Sequence, residues 1–117
     1  MQAIFISPSQ SGLKLLPVDI MEEDLDFMRD SLLCEEVKKI YTPYGDVWTN
    51  KTPHPETQRF CYPVEGLENL EGSFLVAKEM SAEGEVIWFD EEEDLELKSF
   101  WEAASKRRIE IKEKHDS

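Results

Sequence analysis

Ser73-Phe-Leu-Val-Ala-Lys-Glu-Met-Ser-Ala-Glu-Gly-Glu-Val-Ile-Trp-Phe-Asp-Glu-Glu-Glu-Asp94 holds two apolar runs, a turn and an acidic cluster in immediate succession. Ser73–Lys78 and Glu85–Phe89 read as strands, and Ser81-Ala-Glu-Gly84 between them has the composition of a hairpin turn. Asp90 then stands where a helix N-cap belongs, with Glu93 three residues on as the second half of a capping box. Leu97, Phe100, Trp101 and Ala104 follow at the spacing of an inward helical stripe, which predicts a helix from 90 to about residue 112. Strands that feed a helix in this way indicate an α+β fold.

Upstream, Gln2–Ile6 reads as a buried strand and 13–18 as a second one, separated by Ser7-Pro8-Ser9 and Ser11-Gly12. Asp19 and Glu22 form another capping box, and Met21, Leu25, Met28 and Leu32 lie on one helical stripe, which predicts a helix over 20–33. Its opposite face carries Glu22, Glu23, Asp26 and Asp30. Val37–Thr42 and Val47–Asn50 flank Pro43-Tyr-Gly-Asp46, a hairpin rich in Tyr and Trp. A proline-containing loop at 51–58 follows, and Arg59–Pro63 re-enters the sheet briefly. The resulting order predicts a mostly antiparallel β-sheet with two helices packed on one face, a two-layer sandwich. One domain over 1–117 is expected, with 113–117 a frayed tail.

The chain carries 26 acidic and 13 basic residues in 117, a net charge of −13. Residues 1–98 account for −14 of this and 99–117 for +1. Such a surface repels nucleic acid and anionic membrane and favours cationic partners. The three cations Lys106-Arg107-Arg108 suit a helix C-terminus and are too few to hold nucleic acid alone. With 40% apolar residues the chain has the material for a core. The N-terminus lacks the basic and apolar regions of a secretory signal, and no window has the apolar length of a membrane span, so a cytoplasmic location is expected. Cys34 and Cys61 lack metal-ligand spacing and are expected to remain thiols.

No motif specifies catalysis. His54 and His115 are far apart in the chain, there is no Gly-rich phosphate loop, and no carboxylate pair stands out among 26. Neither a cofactor nor a metal site is expected. The residues assigned to partner binding are Glu91, Glu92 and Asp94, with Glu22, Glu23 and Asp26 as a second patch and Tyr44 at a turn tip as an aromatic anchor. Spaced carboxylates of this kind also imitate a phosphate row. A different class of function would use a pocket between hairpin and helix lined by Tyr41, Trp48, His54 and Arg59, as in a small-molecule binder or minor enzyme. A homo-oligomeric assembly built on an open apolar sheet face is the third alternative.

The opening Met1-Gln-Ala-Ile-Phe-Ile-Ser-Pro8, the acidic helix at 20–33, and Leu70-Glu-Gly-Ser-Phe-Leu-Val-Ala-Lys78 with Glu83-Gly-Glu-Val86 resemble small uncharacterised domains encoded by bacteriophages and other mobile elements. The likeness is one of layout, and the segment 51–58 is longer than the corresponding connection. The resemblance implies a phage or mobile-element setting, where small acidic proteins bind host proteins, and it transfers no functional residue. The sequence therefore leads to a non-enzymatic acidic protein. Its expected partner is a basic host protein, of the nucleic-acid-binding or defence kind.

Overall fold

The computed structural model describes residues 1–7, 13–19 and 24–111. Ten strands and two helices are assigned within them: β1 (Gln2–Ile6), β2 (Leu13–Pro17), α1 (Asp24–Leu32), β3 (Val37–Thr42), β4 (Gly45–Asn50), β5 (Arg59–Cys61), β6 (Leu70–Glu71), β7 (Phe74–Ala77), β8 (Glu79–Met80), β9 (Val86–Ile87), α2 (Leu95–Arg107) and β10 (Ile109–Ile111). The strands pair antiparallel in a five-stranded sheet of order β2-β1-β7-β4-β3, a three-stranded sheet β10-β5-β6 and the two-stranded ribbon β8-β9. The α+β class and the antiparallel pairing are those indicated by the sequence.

Side chains alternate faces along a strand, so β7 reports what covers the large sheet on each side. Phe74 and Val76 join Ile4, Ile6, Val47, Trp101 and Ala104 in one buried cluster. Leu75 and Ala77 join Ala3, Trp48, Met28 and Trp88 in another. Met28 belongs to α1 and Trp101 to α2, so the helices lie on opposite faces of the sheet. This corrects the expectation of two helices on one face in two layers. The physical reason is visible in β7, where all four residues are buried, as a strand covered on both sides requires.

The β1–β2 and β3–β4 hairpins form as expected, with Ile4 opposite Leu15 and Ile40 opposite Val47. The expected 73–89 hairpin is only partly realised. β7 is a central strand between β1 and β4, and the ribbon consists of Glu79–Met80 against Val86–Ile87. Beyond it, Gln2 and Phe89 exchange two backbone hydrogen bonds of 2.9 Å, tying the end of the ribbon to β1.

Each helix ends before the residue expected, α1 one residue short of 33 and α2 five short of about 112. α1 stops at Leu32, where Leu33 takes a left-handed φ of 52° and the Cys34 N–H bonds back to the Arg29 carbonyl. α2 stops at Arg107, because Ile109-Glu-Ile111 alternates with a period of two and pairs with β5. Arg108 lies over the Phe60 ring at 4.9 Å and donates to the Tyr62 hydroxyl at 3.3 Å, so the basic segment is partly used inside the fold. Lys106 pairs with Glu102 one turn earlier, at 3.5 Å. The expected capping box at Asp19 and Glu22, the turn at Ser11-Gly12 and the tail at 113–117 involve residues outside those described.

Candidate functional site

The acidic segment after β9 is a built turn. Asp90 Oδ1 accepts hydrogen bonds from the backbone N–H groups of Glu92 at 2.8 Å and Glu93 at 2.9 Å. These donors, the Glu93 amide foremost, hold the Asp90 carboxyl below the usual aspartate range. Asp90, Glu91, Glu92 and Glu93 are all exposed, and no ion pair among the described residues engages Glu91, Glu92 or Glu93.

Asp94 differs from its neighbours. It is only 6% exposed, its Oδ2 accepts from the Asp90 N–H at 2.6 Å, and its Oδ1 lies 3.1 Å from Lys78 Nζ. This corrects two expectations. The helix begins at Leu95, so Asp90 caps the turn before it, and Asp94 supplies the reciprocal bond that a capping box would take from Glu93. Asp94 is also an internal strut and not a surface charge. Its hydrogen bond and its negative charge raise the Lys78 pKa above the usual lysine value. On the lysine side, the contribution of this pair is complete below the ordinary lysine pKa and is lost only as pH rises through the raised value. Asp94→Ala is expected to reduce stability by about 2 kcal/mol, because it strands the Asp90 N–H. Screening of the 35% exposed Lys78 side chain keeps the ion-pair part small. Asp94→Asn, which retains an acceptor, is expected to lose about half as much in urea denaturation.

The other assigned residues are dispersed. Asp26 is exposed on α1 and pairs with Arg29 at 3.4 Å, while Glu22 and Glu23 lie outside the described residues. The Tyr44 ring stacks on Phe100, with centroids 3.8 Å apart, and its carbonyl accepts from Trp101 Nε1 at 3.1 Å. Tyr44 thus joins the β3–β4 turn to α2, with 40% of its surface still exposed.

Tyr41, Trp48, His54 and Arg59 do not converge. Tyr41 is exposed on β3, His54 accepts the Glu56 N–H within the 51–58 loop, and Arg59 sits on the smaller sheet opposite Ile111 and Glu71. Trp48 alone reaches a substantial cavity, an open cleft of 720 Å³ between α1 and the β8–β9 ribbon. Asp24 and Leu25 form one side of it, Met80, Val86 and Trp88 the other, and Met1 and Glu85 also border it. The Asp24 carboxylate braces the walls by accepting from Trp88 Nε1 at 3.1 Å and from the Val86 N–H at 3.3 Å. Trp88 is further fixed by an edge-to-face contact with Phe27 at 5.4 Å.

Trp48 is 7% exposed, and its Nε1 is buried with no hydrogen-bond partner among the described residues. A buried donor left in that state costs about 1–3 kcal/mol. Sequence reasoning misses Asp24, Met80 and Trp88 as cleft residues. Asp24 is hidden among 26 carboxylates, and its contact with Val86 spans 62 positions. No group of three or more His, Cys, Asp or Glu among the described residues is placed to hold a metal. No helix among them is long and apolar enough to cross a membrane.

Comparison of the chain with protein-family models, with characterised proteins and with solved structures gives no significant match.

Proposed function

We propose that the protein is a non-enzymatic binding protein whose acidic turn engages a basic surface on another protein. The observation that carries this reading is the turn itself. Glu91, Glu92 and Glu93 stand exposed without an ion-pair partner among the described residues, on a backbone fixed by Asp90, Asp94 and Lys78. A carboxylate cluster held in one geometry meets a cationic surface without first having to be ordered. The net charge of −13 adds long-range attraction and faster encounter. A basic groove on a nucleic-acid-binding or defence protein of a host is the partner that best matches this chemistry.

The expected behaviour is strong dependence on salt. Affinity for the captured partner should fall at least about tenfold between low and physiological ionic strength, since exposed charges separated by more than a Debye length are then screened. Titration calorimetry at two salt concentrations reads this directly. An affinity unchanged by salt would overturn the electrostatic reading.

A further inference from the structure

We infer that the small pocket between the β3–β4 hairpin and the free edge of β6 binds the carboxylate of a small, singly charged acid. The inference is independent of the acidic turn. The pocket has a volume of 160 Å³, the space of about five water molecules in the liquid, so it admits a compact polar molecule and not a large one. Lys38 and Thr49 stand directly opposite each other on β3 and β4, which puts both side chains on one face of the large sheet, and both residues line the pocket. β4 is enclosed between β3 and β7, so the side chain is what Thr49 presents there. Thr49 is only 4% exposed, and its hydroxyl is neither fully enclosed nor hydrogen-bonded to any described residue. Glu71 lines the pocket from the other side and offers its backbone. The Gly72 N–H bonds to the Gln58 carbonyl, so in the alternating antiparallel pattern Leu70 and Gly72 face β5 and the Glu71 N–H points off the free edge of β6. No described group accepts from that N–H.

The charges of the lining set the charge of the ligand. Lys38 and Lys51 both line the pocket. Lys51 is matched by Glu36 at 3.4 Å, whereas Lys38 has no ion pair among the described residues. Glu71 is the one acidic residue of the described lining. Leu70 packs into the core, so the Glu71 side chain next to it points to the opposite face of β6, the face of its cross-strand partner Arg59. One uncompensated cation and two neutral donors, the Thr49 hydroxyl and the Glu71 N–H, are thus left without an acceptor. A carboxylate supplies about four acceptor sites on two oxygens and can serve all three, with the Lys38 bond strengthened by charge. A second negative charge would meet no second free cation, and a chain of net charge −13 repels it.

The test follows the Glu71 backbone amide of the ¹⁵N-labelled chain by NMR while sodium chloride is replaced by sodium lactate at constant ionic strength, so that screening does not change. Lactate is expected to move this signal downfield in a saturable way, with a dissociation constant of about a millimolar for an acid of this size. Lactamide, of the same shape without the charge, should bind at least about tenfold more weakly. Lys38→Gln, at an exposed position that leaves the core untouched, should cost about tenfold in affinity for lactate. Thr49→Val, which keeps the shape and removes the hydroxyl, should cost about fivefold. Equal binding of lactamide, or unchanged affinity in Lys38→Gln, would overturn the charge assignment, and tighter binding of inorganic phosphate than of lactate would overturn the choice of a singly charged acid. A Glu71 amide that does not move, or moves without saturating, would overturn the site.

Discussion

Gly45→Ala is expected to lower stability by about 3–5 kcal/mol, one of the largest single effects available in this chain. Gly45 has φ +139°, a conformation that side-chain-bearing residues rarely adopt. A Cβ there would lie 2.7 Å from the Ala77 carbonyl oxygen and 3.0 Å from Val76 Cγ1. The oxygen belongs to the backbone of β7, the central strand of the large sheet, so it has no room to retreat. The Gly45 carbonyl also accepts the Thr42 hydroxyl at 2.6 Å, a bond that closes the β3–β4 turn. Thermal unfolding followed by circular dichroism should show the midpoint falling by more than about 10 °C. A fall of only a degree or two would mean that the turn relaxes freely, against the packing described.

Trp101→Ala is expected to cost about 4 kcal/mol. The indole is fully buried on α2 and meets Phe74 at 6.2 Å and Phe100 at 5.4 Å in edge-to-face geometry. Removing it leaves a large apolar void under the sheet and strands the Tyr44 carbonyl that accepts its N–H. Trp101→Phe separates the two losses. It keeps most of the ring and is expected to cost about 2 kcal/mol, mainly through the missing hydrogen bond and residual void. Because Tyr44 adjoins Gly45 and touches α2, the Gly45 and Trp101 substitutions should combine to less than their sum. Chemical denaturation of the single and double variants measures this coupling.

Local features of the fold are legible in the sequence. The turn residues between Thr42 and Val47 set a hairpin whose strands pair in register, and the stripe Leu97, Phe100, Trp101 and Ala104 packs inward as its spacing requires. What escapes is non-local. The unbroken run Phe-Leu-Val-Ala at 74–77 already carries the signature of a strand buried on both faces, but reading it as one arm of a hairpin hides that meaning. Ile109-Glu-Ile111 likewise has a strand period, masked by the apolar and basic residues that continue the helical pattern before it. The pairing of β10 with β5 then depends on partners 48 to 52 positions away.

The candidate sites divide along the same line. The acidic turn is apparent from Asp90-Glu-Glu-Glu-Asp94, yet only geometry distinguishes the exposed Glu91, Glu92 and Glu93 from Asp94, which points back to the Asp90 amide and Lys78. Sequence spacing cannot assign opposite roles to adjacent carboxylates of the same chemistry. The cleft draws on Asp24, Trp48 and Trp88, three segments brought together only by the sheet and by the hydrogen bonds of Asp24. Trp48 is recognisable as a pocket residue, but the lining assigned with it belongs elsewhere, because Tyr41, His54 and Arg59 sit on different surfaces of the fold.

The central claim is that a particular acidic turn, and not acidity in general, engages the partner. The most direct measurement compares two triple charge reversals, Glu91→Lys, Glu92→Lys and Glu93→Lys on the turn against Glu35→Lys, Glu65→Lys and Glu110→Lys at exposed positions elsewhere, for affinity to the captured basic protein. Each set changes the net charge of −13 by the same +6, to −7, so long-range attraction falls equally in both. The account predicts that the turn variant loses at least about a hundredfold and the control no more than about tenfold. Equal losses in the two variants would contradict it.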